Sequence, residues 1–399
     1  MEKAICKQLE IKILIYLKKY LLFILSILIS FTSISQSVVN HKDNELISLL
    51  KGKDKLIDLV LDNQDKYHLQ INFTKVDANK NEITLHDYSL NKDKHYFHPA
   101  SLIKLPIAIT SLELFSKFEE DYGIDLNTFV HSETCSCDFN TDKYVNNKMR
   151  PNLDILLREM LIMSNNDAYN FFFNFSGPTY FNRRMKELSL NNIILRNRFY
   201  AGCTYQGANE HGGLYFQKDN SSNKYKIGCI KDSLKTIEQS LYLNYPNSRS
   251  SNVVSLYSIH RLMIQLFYPQ SFNPDFKLFL SSKNLDFLKT TLSSYPNSLP
   301  NYQNIPSHFH KYLMPSAFLN KQNNNIKIYS KNGNAGGYIS DVMFLNDEEH
   351  HVKYFLSVSM LNYKQKSYYK RRVIYTTPGI DVFRKISNVL YEYAKKQTH

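Results

Sequence analysis

Apolar positions along the chain change period several times, and these changes divide it into elements. Residues 45–61 carry Leu46, Ile47, Leu49, Leu50, Ile57, Leu59 and Val60 at helical spacing. Residues 68–76 alternate through Leu69, Ile71 and Phe73, and 83–88 follow after the turn-rich Asp77-Ala-Asn-Lys-Asn81, so a β-hairpin is predicted there. From Ser101 to about residue 290 the spacing is mostly helical, with segments near 101–119, 152–163, 165–175, 178–189 and 253–267 parted by Gly, Pro and Asn clusters. Short apolar runs return at 326–330, 338–345 and 354–360, and 378–396 reads as a closing amphipathic helix. This order predicts an α/β lobe, about 51–100 and 310–399, interrupted by an all-helical lobe at about 101–309. Within the latter, 201–250 is rich in Gly, Ser, Asn and Tyr with weak periodicity and reads as a surface insertion.

The first 35 residues have the layout of an export signal. A basic stretch ends in Lys18 and Lys19, an apolar run spans 20–31, and Ser33-Ile34-Ser35 offers a small-residue cleavage site before Gln36. A run of about a dozen residues is short for a membrane span, which needs roughly 20. Membrane contact is therefore expected only through this signal, which would act as an anchor if left uncut. The mature chain is expected outside the cytoplasm, periplasmic or extracellular, with 36–50 as a lead-in and 51–399 as the catalytic domain.

Composition changes the picture in three respects. At 399 residues, 43% hydrophobic and 14% aromatic, the chain can bury a large core and disorder is excluded for most of it. The formal charge is +13, and without the signal 44 basic residues still face 34 acidic ones. These are scattered, without a dense Lys/Arg run or aromatic interleaving, which argues against a nucleic-acid partner; an anionic cell envelope suits the charge. Of five cysteines, Cys6 leaves with the signal, and Cys135, Cys137, Cys203 and Cys229 suffice for two disulfides in an oxidising compartment. Cys135 and Cys137 are too close for an easy mutual bridge, so each is expected to pair with Cys203 or Cys229. Thirteen histidines are present, but no CxxC or HxxxH pair stands at ligand spacing beside the cysteines, and neither a metal nor a cofactor is expected.

Three short motifs carry candidate chemistry. Ser101-Leu-Ile-Lys104 places a hydroxyl and an amine three residues apart at a predicted strand-to-helix junction, on one helix face. An amine whose pKa is lowered by burial and positive neighbours can take the proton of such a serine. The same letters recur at Ser89/Lys92 and Ser221/Lys224, in polar, turn-like surroundings where they are accidental. Ser164-Asn-Asn166 stands between an apolar helix end and another helix start, where a polar triplet also serves as an N-cap. Lys331-Asn-Gly333 follows the strand at 326–330, either as a hairpin turn or as an amine and closely approaching backbone lining a cleft.

In this order and with their flanks, Phe97-His-Pro-Ala-Ser-Leu-Ile-Lys104, Met163-Ser-Asn-Asn-Asp-Ala-Tyr-Asn170 and Tyr329-Ser-Lys-Asn-Gly-Asn-Ala-Gly-Gly337 resemble the S-x-x-K, S-D-N and K-T-G elements of class A β-lactamases and penicillin-binding proteins. The resemblance runs from about residue 45 to the C-terminus. It implies an α/β fold with a five-stranded antiparallel sheet flanked by helices, a helical lobe, and the site between them. It also implies roles: Ser101 as nucleophile, Lys104 as proton acceptor, Ser164 as relay to the leaving nitrogen, Lys331 as positive charge, and Asn166 on a substrate carbonyl. Gly333 would line the cleft, and the backbone N–H groups of Ser101 and Asn334 would form the oxyanion hole. The implied function is a serine β-lactamase-like hydrolase acting on β-lactams or related wall-derived amides. A D-alanyl peptidase, transpeptidase or esterase of the same fold is one alternative, and a sensor that acylates once or not at all is another.

The pattern departs from the family in three places. Asn165 stands where the family has Asp, and Asn332 stands where Thr or Ser is usual, which weakens the expected grip on a substrate carboxylate. The E-x-x-L-N element that activates the deacylating water has a match in letters at Glu187-Leu-Ser-Leu-Asn191. It lies too soon after Ser164, ahead of Leu195-Arg-Asn-Arg-Phe199, which resembles the family's lead-in. The expected place holds Tyr200, a poor base at neutral pH, and Glu210 is the substitute within reach along the chain. Acylation is thus supported by the motifs, and rapid release of the acyl group is not.

Overall fold

A computed structural model describes residues 43–79, 82–132, 151–199, 210–218, 224–231, 251–319, 325–362, 364–366, 373–375 and 379–397. The expected signal at 1–35, Tyr200, Cys135, Cys137 and Cys203 lie outside the described residues; Cys229 is disulfide-bonded. In chain order the elements are α1 (Asp43–Leu50), α2 (Lys55–Asp62), β1 (Gln70–Asn79), β2 (Glu82–Leu90), a 3-10 turn (Ala100–Ile103) and α3 (Lys104–Tyr122). Then come β3 (Phe129–Ser132), α4 (Leu153–Ile162), α5 (Asn166–Ser176), α6 (Pro178–Glu187), β4 (Ile193–Ile194), β5 (Glu210–Gln217), β6 (Lys224–Lys231), β7 (Val253–Val254), α7 (Leu256–Phe267) and α8 (Ser282–Ser293). The chain closes with β8 (Ile326–Ala335), β9 (Tyr338–Asp347), β10 (Val352–Leu361) and α9 (Gly379–Lys396).

Five strands form one antiparallel sheet in the order β2-β1-β10-β9-β8. Because side chains alternate across a strand, β10 sends Tyr354, Leu356, Val358 and Met360 to one core and Phe355 to the other. The first core is shared with α1, α2 and α9 through Leu46, Ile57, Val382 and Leu390, and the second joins the sheet to the helices of the other lobe. His260 of α7 bridges that second face, bonding Thr74 Oγ1 at 2.8 Å and Ser357 Oγ at 2.7 Å. The single helical stretch at 45–61 is in fact two helices. Gly52 adopts φ +75°, and the Asp54 side chain accepts from Leu56 N at 2.8 Å, so one helix ends and the next is capped within four residues.

Around α3, which is buried on nearly every side of its first three turns, pack α4, α5, α6 and α8. Arg184 of α6 forks onto Glu113 of α3 at 2.8 and 3.0 Å with both side chains buried, a bidentate pair that fixes the two helices in register. Beyond its helices this lobe also contains a three-stranded sheet, β3-β5-β6, and the short pair β4-β7. Strands β5 and β6 fall inside the stretch that reads as a surface insertion, and part of it is not on the surface. Leu214 and Phe216 are buried, the Phe216 ring meeting Phe175 at 5.7 Å and Phe171 at 6.5 Å. Two buried positions, 214 and 216, are too few to show as periodicity among glycines and tyrosines.

Phe216→Ala is expected to lower stability by about 3–5 kcal/mol in urea denaturation. Ile230→Ala, at a 44%-exposed position of the same hairpin, should stay within about 0.5 kcal/mol. Similar small losses for both would mean that the hairpin is not part of the core.

Candidate active site

The turn that carries Ser101 is held against β8. Leu102 N donates to Pro99 O at 2.9 Å, closing the 3-10 turn, and Gly333 lies so close that a β-carbon there would stand 2.5 Å from Pro99 O and 2.8 Å from Ser340 Oγ. Only glycine lets strand and turn approach to this distance. Three residues on, Gly336 and Gly337 form the β8–β9 hairpin with φ +62° and +89°, and Gly336 packs on the His98 side chain. The reversal predicted at Lys331-Asn-Gly333 is therefore four residues further along, and the motif itself lies within the strand, paired as Lys331↔Val342, Asn332↔Asp341 and Gly333↔Ser340.

Ser164 sits at the junction of α4 and α5 with φ +57°, and Ala100, just before Ser101, has φ +46°. Two non-glycine residues in the left-handed region each cost on the order of 1–3 kcal/mol, and both flank the same cleft. The triplet after Met163 divides its work. Asn165 is the N-cap of α5, accepting from Asp167 N at 2.8 Å and Ala168 N at 3.1 Å, while Ser164 and Asn166 face lysines. An amide at 165 also explains the departure from Asp: its Nδ2 reaches the buried Glu159 carboxylate at 3.4 Å, where a second carboxylate would repel.

Both amines of the motifs converge on Ser164. Lys331 Nζ donates to Ser164 Oγ at 2.9 Å, and Lys104 Nζ lies 3.4 Å from the same oxygen. Lys104 Nζ further donates to Ser164 O and Asn166 Oδ1, each at 2.5 Å. It makes no hydrogen bond to Ser101 Oγ. That hydroxyl is half-buried and has no hydrogen-bond partner among the described residues. The direct Ser101–Lys104 contact expected from helical spacing is absent because Ser101 belongs to the tighter 3-10 turn while Lys104 starts the α-helix, where its amine is drawn to the Ser164 loop.

Electrostatics follow from burial. Lys104 is fully buried, which pushes its pKa well below the ordinary lysine range, and nearby Lys331 lowers it further while Asp167 opposes. Burial takes Lys331 down to about 7, with Lys311 adding to the effect and the Asp341 carboxylate countering it. A neutral amine has a lone pair to receive a proton; a charged one beside it stabilises developing anions. The Phe199 backbone is held by the Asn170 side chain, its N–H donating to Asn170 Oδ1 and its carbonyl accepting from Asn170 Nδ2, each at 2.8 Å, and the centre of its ring lies 5.2 Å from Lys104 Nζ.

Sequence motifs gave no hint of the titratable groups around Lys331. His310 Nδ1 lies 3.3 Å from Asn332 Nδ2, and burial with Lys331 and Lys104 nearby takes its pKa down to about 3. Lys311 Nζ donates to Leu292 O at 2.9 Å and Ile328 O at 2.7 Å, and Asp341 accepts from Leu313 N at 3.0 Å. All three lie outside the motifs, and a His or Lys at 310–311 carries no pattern by itself. Glu187, the match in letters for the deacylating residue, is a half-exposed partner of Arg184 at 3.1 Å and Arg183 at 3.6 Å. Glu210 opens β5 opposite Lys231. Asn334 pairs with Ile339 near the end of β8. Among the described residues no group of His, Cys, Asp and Glu is arranged to hold a metal ion.

Residues 53–240 match the β-lactamase enzyme family. No curated protein matches the sequence. Among solved structures, a β-lactamase from Desulfarculus baarsii DSM 2075 is 13% identical, over 88% of this chain and 97% of that one, with a TM-score of 0.51. A variant of PBP-A, solved as an acyl-enzyme complex with penicillin G, is 15% identical over 89% of this chain and 96% of that one, with a TM-score of 0.50. At these identities the likeness to solved structures is one of fold. The chain thus has the fold of the β-lactamases and PBP-A, and over residues 53–240 it is similar to the β-lactamase enzyme family.

Proposed function

We propose that the protein is an exported serine hydrolase that forms an acyl-enzyme at Ser101 with β-lactams or related wall-derived amides. The observation that carries this reading is the convergence of Lys104 and Lys331 on the Ser164 hydroxyl, beside the turn that bears Ser101. In the reaction, Ser101 Oγ bonds to the carbonyl carbon and its proton passes to the neutral Lys104 amine, directly or through a water. The carbonyl oxygen becomes an oxyanion between the backbone N–H groups of Ser101 and Asn334, a term of roughly 3–4 kcal/mol per donor. Its collapse breaks the C–N bond, and Ser164, polarised by Lys331, hands its proton to the leaving nitrogen and is reprotonated by the Lys104 ammonium 3.4 Å away, which carries the proton taken from Ser101. Asn166 would hold a substrate carbonyl once Lys104 releases it. Water then hydrolyses the ester. Export rests on the layout of residues 1–35; among the described residues no helix is long and apolar enough to cross a membrane.

A second reading, a D-alanyl peptidase, transpeptidase or esterase that releases its acyl group slowly, is favoured by the engagement of Glu187 in surface ion pairs and by Tyr200 in the place expected for a general base. A wall-fragment sensor is the limit of that reading, in which release does not occur.

Incubation with a chromogenic cephalosporin, followed by colour and intact mass together, should give an adduct on Ser101 that outlives its formation by many turnover times of an ordinary β-lactamase. Ser101→Ala should abolish the adduct, and one that persists would place the nucleophile elsewhere. Lys104→Arg, which cannot give up its charge, should slow acylation by about 10²–10⁴-fold. The depressed pKa of Lys104 sets the sign of the pH dependence: the rate should rise with pH as the ammonium loses its proton and level off well below 10.5. A rate that climbs through to 10.5 would show an ordinary lysine, and a different base.

A further inference from the structure

The hydrogen-bond inventory of β8 bears on which acyl donors fit. A lysine ammonium has three donors. Lys331 Nζ has three acceptors within the protein: Ser164 Oγ at 2.9 Å, Asn332 O at 3.2 Å and Asn332 Oδ1 at 3.3 Å. The Asn332 amide cannot be turned over. Its amino group faces His310 Nδ1, and reversing it would set NH₂ against the lysine amine. His310 is neutral at physiological pH, so its Nδ1 can accept that N–H while the Met163 carbonyl favours the proton elsewhere on the ring. One imidazole thus spans the cleft floor from the strand of the third motif to the residue before Ser164. Lys331 and Asn332 are only 1% and 3% exposed, so neither is offered to the cleft as an anion donor.

Resting on the acyl-enzyme reading above, we propose that His310 locks the Asn332 amide onto Lys331, and that among β-lactams and related amides or esters the preferred acyl donor is one without a free carboxylate beside the scissile bond. A substrate carboxylate would have to displace the Asn332 carbonyl oxygen from Lys331 and would then meet that oxygen as a like partner. Thr or Ser at 332, in contrast, would free one lysine N–H and add a hydroxyl donor. His310 is a positioning residue in this scheme: it touches neither Ser101 nor the acyl group, and sets which face of the amide the cleft sees.

The test compares benzylpenicillin with its methyl ester, two probes that differ only at that carboxylate, on the mature protein and on Asn332→Thr, reading the rate of adduct formation on Ser101 by intact mass. A neutral fluorophosphonate serves as a third probe of the serine. The ratio of acid to ester rates is internal to each protein, so a variant that folds less well still reports. The ester should react at least as fast as the acid with the natural chain, and Asn332→Thr should raise the acid-to-ester ratio by about 10-fold or more, as regained charge-assisted hydrogen bonds imply. His310→Ala should move the ratio in the same direction. An acid faster than its ester in the natural chain, or a ratio unmoved by Asn332→Thr, overturns the proposal while Ser101 stands as nucleophile. Labelling by the fluorophosphonate alone overturns it likewise. No adduct with any of the three probes overturns the acyl-enzyme reading itself, and the proposal with it.

Discussion

Two buried amines reach for one hydroxyl, and most of the site can be understood as the means of making that tolerable. Lys104 Nζ and Lys331 Nζ lie 3.4 and 2.9 Å from Ser164 Oγ, in a region where neither is exposed to water. Two full charges there would be costly, and the depressed pKa values of both express the cost. The protein responds with acceptors: the Ser164 carbonyl and Asn166 for Lys104, both ends of Asn332 for Lys331, and the Asp341 carboxylate behind. Asp341 is itself pushed up to about 7 by burial, so the cluster shares charge among several groups rather than assigning it to a single ion pair.

The fold meets this electrostatic demand by bringing three backbones very close. Gly333 presses against the Pro99–Leu102 turn, Ser164 takes a left-handed conformation that turns its carbonyl to Lys104, and Asn165 caps α5 so that Asn166 begins the helix at the lysine. Strain at Ala100 and Ser164 is tolerated because the strands and helices around them are fully packed. Each element has a mechanical part as well as a chemical one, and the N-cap and cleft readings of the Ser164 triplet turn out to apply to different residues of it.

The two asparagines that depart from the family's letters are not equivalent. At 165 the amide keeps the capping function of an aspartate and adds a donor to Glu159, so it is a compensated exchange within the helical lobe. At 332 the amide occupies the amine that a hydroxyl would have left free, and it does so with the support of a histidine that no motif includes. A change of one residue type thus has a small consequence in one place and a large one in the other, and what differs is the neighbour.

Much of the architecture was legible in the chain alone. Period-2 and period-3.6 patterning delimited β1, β2, α3 to α7, β9, β10 and α9 to within a few residues, and the order of the three motifs carried the fold class, because side-chain alternation and helical faces are local properties that local sequence records. What the sequence could not hold were relations between distant segments. That Lys104 turns to Ser164 rather than to Ser101, that residues 210–217 add a strand to the core, and that His310, Lys311 and Asp341 surround Lys331 all depend on which side chains meet once the lobes have packed. Those meetings are decided by burial and by the pairing of polar groups removed from water, and neither leaves a spacing in the chain to be read.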